Sequence, residues 1–164
     1  MLVLERLRSD HADAIFSFEV ENRAYFTSTI SDRGDAYFEH FAENHRASLA
    51  EQESGACSYY VLVDENHVVL GRFNLYELKD GTAEVGYRVG EHVAGRGVAT
   101  DALRALCSIA TTELSLRTLT ARTRDENVAS QRALEKCGFA IVESTEVAGR
   151  PGRLYRLALV PTHN

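Results

Sequence analysis

The glycines and the carboxylate best suited to chemistry in this sequence lie between Glu84 and Thr100. Residues 82–89 alternate in polarity as a strand does, and Gly95-Arg96-Gly97 forms a turn before a segment with helical spacing. Such a junction points several backbone N–H groups at one place, at the positive end of a helix dipole. The pattern therefore predicts a site for a phosphate or pyrophosphate group.

Glu84 is the candidate catalytic carboxylate of this stretch. The two-residue period of a strand puts Gly86 and Arg88 on the same face as Glu84. The opposite face then carries Val85, Tyr87 and Val89. A carboxylate in a central strand is a candidate proton acceptor, directly or through water. The alternative is a carboxylate at the sheet rim that a backbone N–H or an arginine satisfies, and the sequence leaves both open.

Two well-known phosphate loops do not fit the glycine turn. A Walker A loop needs Lys followed by Ser or Thr after its last glycine, and no such pair follows here. A dinucleotide fingerprint needs a third glycine where this chain has Thr100. Two glycines around Arg96, with the small Ala99 after them, favour the close approach of a ligand over a merely tight connection.

The elements around this turn are predicted in the order β-α-α-β-β-β-α-β-α-β-β, a single mixed α/β domain of residues 1–164. The predicted strands are 2–7, 59–63, 68–78, 82–89, 118–123, 139–147 and 154–159. Four helices are predicted. The first runs from Ser9 or Asp10 to Asn22, and the second contains Tyr37, Phe38, Phe41 and Leu49. The third follows the glycine turn, and the fourth covers 127–137. Residues 59–89 are expected to form an antiparallel meander.

Composition narrows the class of protein. A chain of 164 residues with 45% hydrophobic and 26% charged residues is typical of one globular domain. A net charge of −6 argues against a nucleic-acid backbone as partner. We expect no membrane span and no secretory signal. The three cysteines are expected to be reduced thiols in a cytoplasmic protein, and no histidine has metal-ligand spacing.

The glycine turn resembles the acetyl-CoA signature of the GNAT acyltransferase superfamily, [QR]-x-x-G-x-[GA]. Gly97 and Ala99 match the signature, whereas Ala94 replaces the usual Gln or Arg and Arg96 is a candidate to compensate. A second patch, 127–139, resembles the family segment N-x-x-S followed by E-K-x-G-F. It is most similar to the branch of ribosomal-protein N-terminal acetyltransferases and spermidine acetyltransferases. The resemblance implies a mixed central sheet of about seven strands with helices on both faces.

The resemblance also implies roles for individual residues. The main chain of Val89 would bind the pantetheine arm where two strands splay, and the amides of the glycine turn would hold the pyrophosphate. Asn127 would bind pantetheine or water, and Ser130 would lie near the thioester sulfur. Many relatives have a tyrosine acid where this chain has Leu134, so Ser130 is the expected donor. The implied cosubstrate-binding residues are Val89, Ala94, Gly95, Arg96, Gly97, Val98, Ala99, Thr100, Asn127 and Ser130.

The implied activity is acetyl transfer from acetyl-CoA to a primary amine, without a metal, with Glu84 and Ser130 as catalytic residues. A protein N-terminal α-amine, as in a ribosomal-protein-like acceptor, is the expected acceptor, because deprotonation of an α-amine at neutral pH costs about 3.5 kcal/mol less than that of a lysine amine. A polyamine or aminoglycoside-like amine and a non-catalytic acyl-CoA-binding module remain open. Scattered helix glutamates such as Glu19 could attract a cationic acceptor, although they usually face solvent. The chain is expected to be a monomer or a homodimer, with strand 154–159 as a pairing edge.

Overall fold

The computed structural model describes residues 2–28 and 30–160, so the predicted domain limits at residues 1 and 164 lie outside the described residues. The strands are β1 Val3–Arg6, β2 Ser58–Val63, β3 Val69–Lys79, β4 Thr82–Val89, β5 Thr118–Arg124, β6 Ala140–Val147 and β7 Arg150–Ala158. The helices are α1 Ala12–Glu21, α2 Arg23–Thr27, α3 Asp35–Glu39, α4 Phe41–Glu53, α5 Val98–Thr112 and α6 Val128–Lys136. Seven strands and the order of the elements from β2 onward confirm the predicted fold class.

The region before β2 is more broken than the sequence predicted. In the described part of the segment between β1 and β2 there are four α-helices rather than the two expected. Asn22 leaves helical geometry after α1, where its side-chain amide donates to the carbonyl of Phe18 and accepts from the backbone N–H of Glu91. His40, with φ −110°, separates α3 from α4. Short polar side chains that bond to the backbone, as Asn22 does, commonly end helices, and the first predicted helix ends at this residue.

The sheet has the order β1-β2-β3-β4-β5-β7-β6, in which β4 and β5 are the parallel pair and the other neighbours are antiparallel. The predicted meander is β2-β3-β4. The expectation that the last strand forms a pairing edge was wrong, because β7 lies between β5 and β6. The edge strand on this side is β6, where Ile141 and Val142 are exposed.

Helices cover both faces of the sheet. Along β2, Tyr60 and Leu62 pack into a core with α5 and α6, while Tyr59, Val61 and Val63 pack into a second core with α1, α2 and α4. This alternation follows from the two-residue period of a strand that is buried on both sides. The two cores hold the sheet between α5 and α6 on one face and α1, α2 and α4 on the other.

Strands β4 and β5 separate along half of their length. Their pairing ends at Val85 and Ala121, yet β4 continues to Val89 against β3 and β5 continues to Arg124 against β7. Each strand therefore keeps its outer partner while the facing edges diverge. The predicted splay at Val89 is this gap.

Candidate functional site

The main chain of β4 points into the gap at alternate residues. The N–H of Gly90 donates to the carbonyl of Leu70 at 2.9 Å, so the even-numbered residues of β4 bond to β3. The main-chain groups of Tyr87 and Val89 consequently face away from β3, toward the gap. Val89, expected to bind a ligand through its main chain, has the orientation that this role requires.

The glycine turn presents free helix donors beside the gap. Gly95 and Gly97 have φ +75° and +76°, a left-handed conformation that glycine adopts without strain, and a Cβ at either position would have open space around it. Gly97 is the N-cap of α5, and the first intrahelical bond runs from the N–H of Asp101 to the carbonyl of Gly97 at 3.0 Å. The amides of residues 98–100 precede that bond and are available to an anion.

A cavity of about 330 Å³, here called the turn cavity, lies against these donors. Of the ten residues predicted to bind a cosubstrate, eight line it and two, Arg96 and Val98, do not. The eight are Val89, Ala94, Gly95, Gly97, Ala99, Thr100, Asn127 and Ser130. The structure thus brings together the glycine turn and the start of α6, which are about thirty residues apart in sequence.

Two basic residues of the turn cavity were missed by the sequence analysis. Arg132 and Lys136 line it from α6, one helical turn apart, with Ala129 and Ala133 on the same face. Their i, i+4 spacing was visible in the sequence, but nothing in one sequence indicates that this face of α6 turns toward the glycines. They supply positive charge near the position where Ala94 lacks a polar side chain.

Ser130 and Tyr87 meet in the gap. Ser130 Oγ and Tyr87 Oη are 3.2 Å apart, and the N–H of Ser130 donates to Asn127 Oδ1 at 3.2 Å. Asn127 is the N-cap of α6 and also lines the turn cavity. The capping bond fixes the first turn of α6 and with it the position of the Ser130 hydroxyl.

Tyr87 is the main residue to which the sequence analysis gave no chemical role. Its ring stacks on Phe73 with centroids 5.2 Å apart and an interplanar angle of 1°. Burial raises the pKa of Tyr87, so its hydroxyl stays protonated at neutral pH. Leu134, which occupies the position of the missing tyrosine, is 1% exposed in the core. A phenolic donor therefore enters the gap from β4 and not from α6.

Glu84 lies at the paired end of the gap. Its Oε1 is 3.2 Å from Nε of Arg122, and Glu84 does not line the turn cavity. Arg122 lines a second, neighbouring cavity that Glu84 does not line, so the carboxylate is one side chain away from that cavity. The expectation that Glu84 accepts a proton stays a prediction.

The second cavity, here called the arginine cavity, has a volume of about 260 Å³ and lies on the other side of the Tyr87–Ser130 pair. Five described residues line both cavities, which makes them two chambers with a common boundary. These shared residues are Ile30, Tyr87, Arg88, Asn127 and Ser130.

A buried carboxylate organises the wall of the arginine cavity. Glu19 is 1% exposed and binds Arg33 at 2.6 Å, and Arg72 and Arg88 at 3.5 Å each. Burial lowers the pKa of Arg88, and the charges of Arg33 and Arg72 act in the same direction. The expectation that Glu19 faces solvent or attracts a cationic ligand was wrong, because three arginines from β3, β4 and the loop before α3 already surround it.

Residues 1–140 match the family described as Acetyltransferase (GNAT) domain. The chain belongs to this family. The GNAT fold and the enzyme class expected from the sequence, an acetyltransferase, are confirmed by this membership. Among residues 2–28 and 30–160 there is no group of three His, Cys, Asp or Glu side chains arranged to hold a metal ion. No helix in the same part of the chain has the length and apolar content that a bilayer crossing needs.

Named relatives are similar to this GNAT chain over different lengths. An uncharacterized N-acetyltransferase p20 of Bacillus licheniformis is 32% identical over 89 residues, which are 53% of this chain and 50% of that protein. The probable N-acetyltransferase YjcK of Bacillus subtilis (strain 168) is 26% identical over 136 residues, 78% of this chain and 74% of YjcK. The match thus spans about half the length of the first relative.

Solved structures share the fold at low identity. The ribosomal-protein-S5-alanine acetyltransferase of Vibrio fischeri has a TM-score of 0.89 at 18% identity, covering 96% of this chain and 93% of that one. The ribosomal L7/L12 α-N-protein acetyltransferase RimL, in complex with coenzyme A, has a TM-score of 0.85 at 17% identity, covering 96% of this chain and 94% of that one. The spermidine N-acetyltransferase of Vibrio cholerae, in complex with CoA and spermine, has a TM-score of 0.79 at 18% identity, covering 96% of this chain and 95% of that one. One fold therefore serves protein and polyamine acceptors.

Proposed function

We propose that this chain is an acetyl-CoA-dependent N-acetyltransferase that acetylates an N-terminal α-amine by direct attack in a ternary complex. The observation that carries the proposal is the pair of chambers that share Tyr87 and Ser130 at their boundary. A two-substrate transfer without a covalent enzyme intermediate needs two adjoining sites with a proton donor between them.

The turn cavity is the proposed acetyl-CoA site. The amides of residues 98–100 and the left-handed Gly95 and Gly97 are suited to the diphosphate, with Arg132 and Lys136 adding positive charge. The fold relatives that contain CoA support this choice of cosubstrate. The Val89 main chain, which faces the gap, would bind the pantetheine arm or polarise the thioester carbonyl.

The residues at the boundary would assist the bond changes. The amine nitrogen forms a bond to the acetyl carbon, and the carbon–sulfur bond breaks. Ser130, backed by the protonated hydroxyl of Tyr87, would give a proton to the leaving sulfur. Tyr87 suits this relay because burial keeps its hydroxyl neutral. Neither the thiol of Cys107 in α5 nor that of Cys137, just after α6, is needed, and burial raises the pKa of both.

Glu84 has the smaller part in this proposal. An α-amine loses its proton more readily than a lysine amine, so the demand for a strong base is modest. We propose that Glu84, held by Arg122 beside the arginine cavity, receives the proton through water. Glu84→Gln should then lower kcat by about tenfold at pH 7 and by less at pH 9, where the amine is already neutral.

A steady-state assay of CoA thiol release with N-terminal peptides, lysine-containing peptides and spermidine tests the proposal. Ser130→Ala should lower kcat with little change in the affinity for CoA. Thermal unfolding adds an independent readout, since acetyl-CoA at a hundred times its dissociation constant contributes about 2.7 kcal/mol. Stabilisation by acetyl-CoA without release in the presence of any amine would favour a non-catalytic acyl-CoA-binding module.

A further inference from the structure

The arginine cavity is cationic in a protein whose formal net charge is −6. None of the described residues that line it is acidic. Its lining arginines are Arg33, Arg88, Arg122 and Arg124. Asp32 and Asp35, in the same part of the chain as Arg33, both bind Arg23 at 2.8 Å and do not line the cavity. Positive charge concentrated against the overall balance of the protein indicates an anionic ligand.

The first group of arginines has too few carboxylate partners to neutralise its positive charge. Arg33, Arg72 and Arg88 converge on the single carboxylate of Glu19, which leaves this group with two positive charges. The exposed fraction of the Arg88 side chain is 15%, and burial together with its cationic neighbours lowers its pKa. A further negative charge in the cavity would relieve that repulsion.

A second group of arginines, in which Arg122 and Arg124 line the cavity, also outnumbers its carboxylates. Arg124 and Arg150 share Glu126, with N–O distances of 3.6 and 3.8 Å, and Arg122 pairs with Glu84 at 3.2 Å. In the described part of the chain, the two groups contain six arginines and three carboxylates, and four of the arginines, all except Arg72 and Arg150, line the cavity. The cluster carries a formal charge of about +3, because arginine remains protonated at neutral pH.

Two residues that line the cavity, in the described part of the chain, each have a buried polar atom without a hydrogen-bond partner. Asn74 and Thr123 are 8% and 4% exposed and line the arginine cavity. The amide nitrogen of Asn74 donates to the hydroxyl of Tyr76 at 3.0 Å, but Asn74 Oδ1 and Thr123 Oγ1 have no hydrogen-bond partner within residues 2–28 and 30–160. A buried acceptor without a donor is costly. An amine N–H of the acceptor would satisfy Asn74 Oδ1.

We infer that the acceptor is a primary amine with a carboxylate close to it, held by the arginines while the amine lies near Asn74 and Ser130. This inference rests on the proposed acetyl transfer. The carboxylate has two possible sources, the acidic side chains that follow an N-terminal amine in a peptide and the α-carboxylate of a free amino acid. A polyamine, which carries only positive charge, is repelled by the same cluster.

The test compares acceptors of different charge. Hexapeptides of one length begin Ala-Asp-Glu, Ala-Asn-Gln or Ala-Lys-Arg, and free aspartate, free glutamate and spermidine complete the set. We expect kcat/KM for the acidic peptide or the free acidic amino acid to exceed that of the neutral peptide at least tenfold, and to fall with added salt. The better of these two identifies the source of the carboxylate.

Variants connect the preference to the cavity. Arg33→Gln and Arg124→Gln, which leave the Glu84–Arg122 pair intact, should lower kcat/KM for the anionic acceptor about tenfold and that for the neutral peptide less than threefold. Arg8→Gln, an exposed arginine next to Glu5 and Asp10, is the matched control and should change neither. Equal rates for acidic and neutral acceptors, or a preference for spermidine, would overturn the inference while leaving the acetyl transfer intact. No release with any amine would overturn both, and stabilisation by acetyl-CoA would then separate a binding module from a wrong cosubstrate.

Discussion

The hydroxyl groups of Tyr87 and Ser130 lie 3.2 Å apart although 43 positions separate the two residues in sequence. Tyr87 comes from β4, whose partner strand diverges after Val85, and Ser130 comes from the first turn of α6. The contact exists because the splay leaves room for a helix N-terminus beside the strand. It is the only hydroxyl pair, among the described residues, that lies at the boundary of both cavities.

Removal of the Tyr87 hydroxyl should impair turnover rather than binding. We expect Tyr87→Phe to lower kcat about 10²-fold, since one proton donor contributes at least that much to general acid catalysis. The KM for acetyl-CoA should change less than threefold. Because the two hydroxyls act together, the double variant with Ser130→Ala should be little worse than the single variants.

The control for this prediction is Tyr60→Phe. Tyr60 is buried in the same core and its hydroxyl accepts from Ser58 at 2.8 Å, away from the two cavities. In urea unfolding, Tyr60→Phe should lose about as much stability as Tyr87→Phe, while its kcat stays at the wild-type value. Equal losses of kcat in both variants would assign the effect to core packing.

The glycine turn allows a test that separates backbone strain from ligand binding. Gly97 and Gly149 have φ +76° and +77°, and a Cβ at either position would have no neighbour within 4 Å. Alanine at each position should therefore cost about 1–2 kcal/mol of unfolding free energy. Only Gly97→Ala should weaken CoA binding, measured by isothermal titration calorimetry, because Gly149 lies in the turn between β6 and β7. Equal CoA affinities in the two variants would contradict the proposed diphosphate site.

Cationic residues around the turn cavity should differ in their effect on CoA affinity. Arg132 and Lys136 line the cavity, whereas the Arg96 side chain, predicted from the sequence to compensate for Ala94, does not. We expect Arg132→Gln or Lys136→Gln to weaken CoA binding about tenfold, or 1.4 kcal/mol, with a reduced dependence on salt. Arg96→Gln is the matched comparison, and a larger effect there would restore the compensating role.

The sequence revealed those parts of the site that are local in the chain. The glycine turn and the strand face of Glu84 follow from short-range patterns, and the helices on both faces of the sheet were implied by the family resemblance. The Tyr87–Ser130 contact and the three arginines around Glu19 depend on which strands and helices become neighbours. A periodicity cannot distinguish a strand side chain that ends in the core from one whose polar tip reaches a cavity.

The helices before β2 depend in part on contacts that are distant in sequence. The predicted first helix does end at Asn22, but the side chain of Asn22 bonds both to the carbonyl of Phe18 and to the N–H of Glu91, and α2 follows it at once. The second of these bonds spans 69 positions. Such tertiary hydrogen bonds override local helix propensity and leave no mark in the sequence.

Protonation of His45 should destabilise the protein in mild acid. His45 is 6% exposed, its Nε2 lies 3.1 Å from the carbonyl oxygen of Arg8, and burial lowers its pKa from the ordinary value. The folded state thus binds this proton less readily than the unfolded chain. The stability from the neutral ring is complete above about pH 6.5 and is lost as the pH falls below it.

His45→Gln provides the comparison for this pH dependence. Glutamine can keep a nitrogen donor toward the Arg8 carbonyl but does not titrate. Urea unfolding at pH 7.5, 6.5 and 5.5 should show wild-type stability falling more steeply than that of His45→Gln over the last interval. The positive charge of Arg72 also lowers the pKa of His45. Arg72→Met, with His45 retained, should therefore make the loss of stability with falling pH less steep than in wild type. Parallel curves for wild type and His45→Gln would assign the acid sensitivity to other groups.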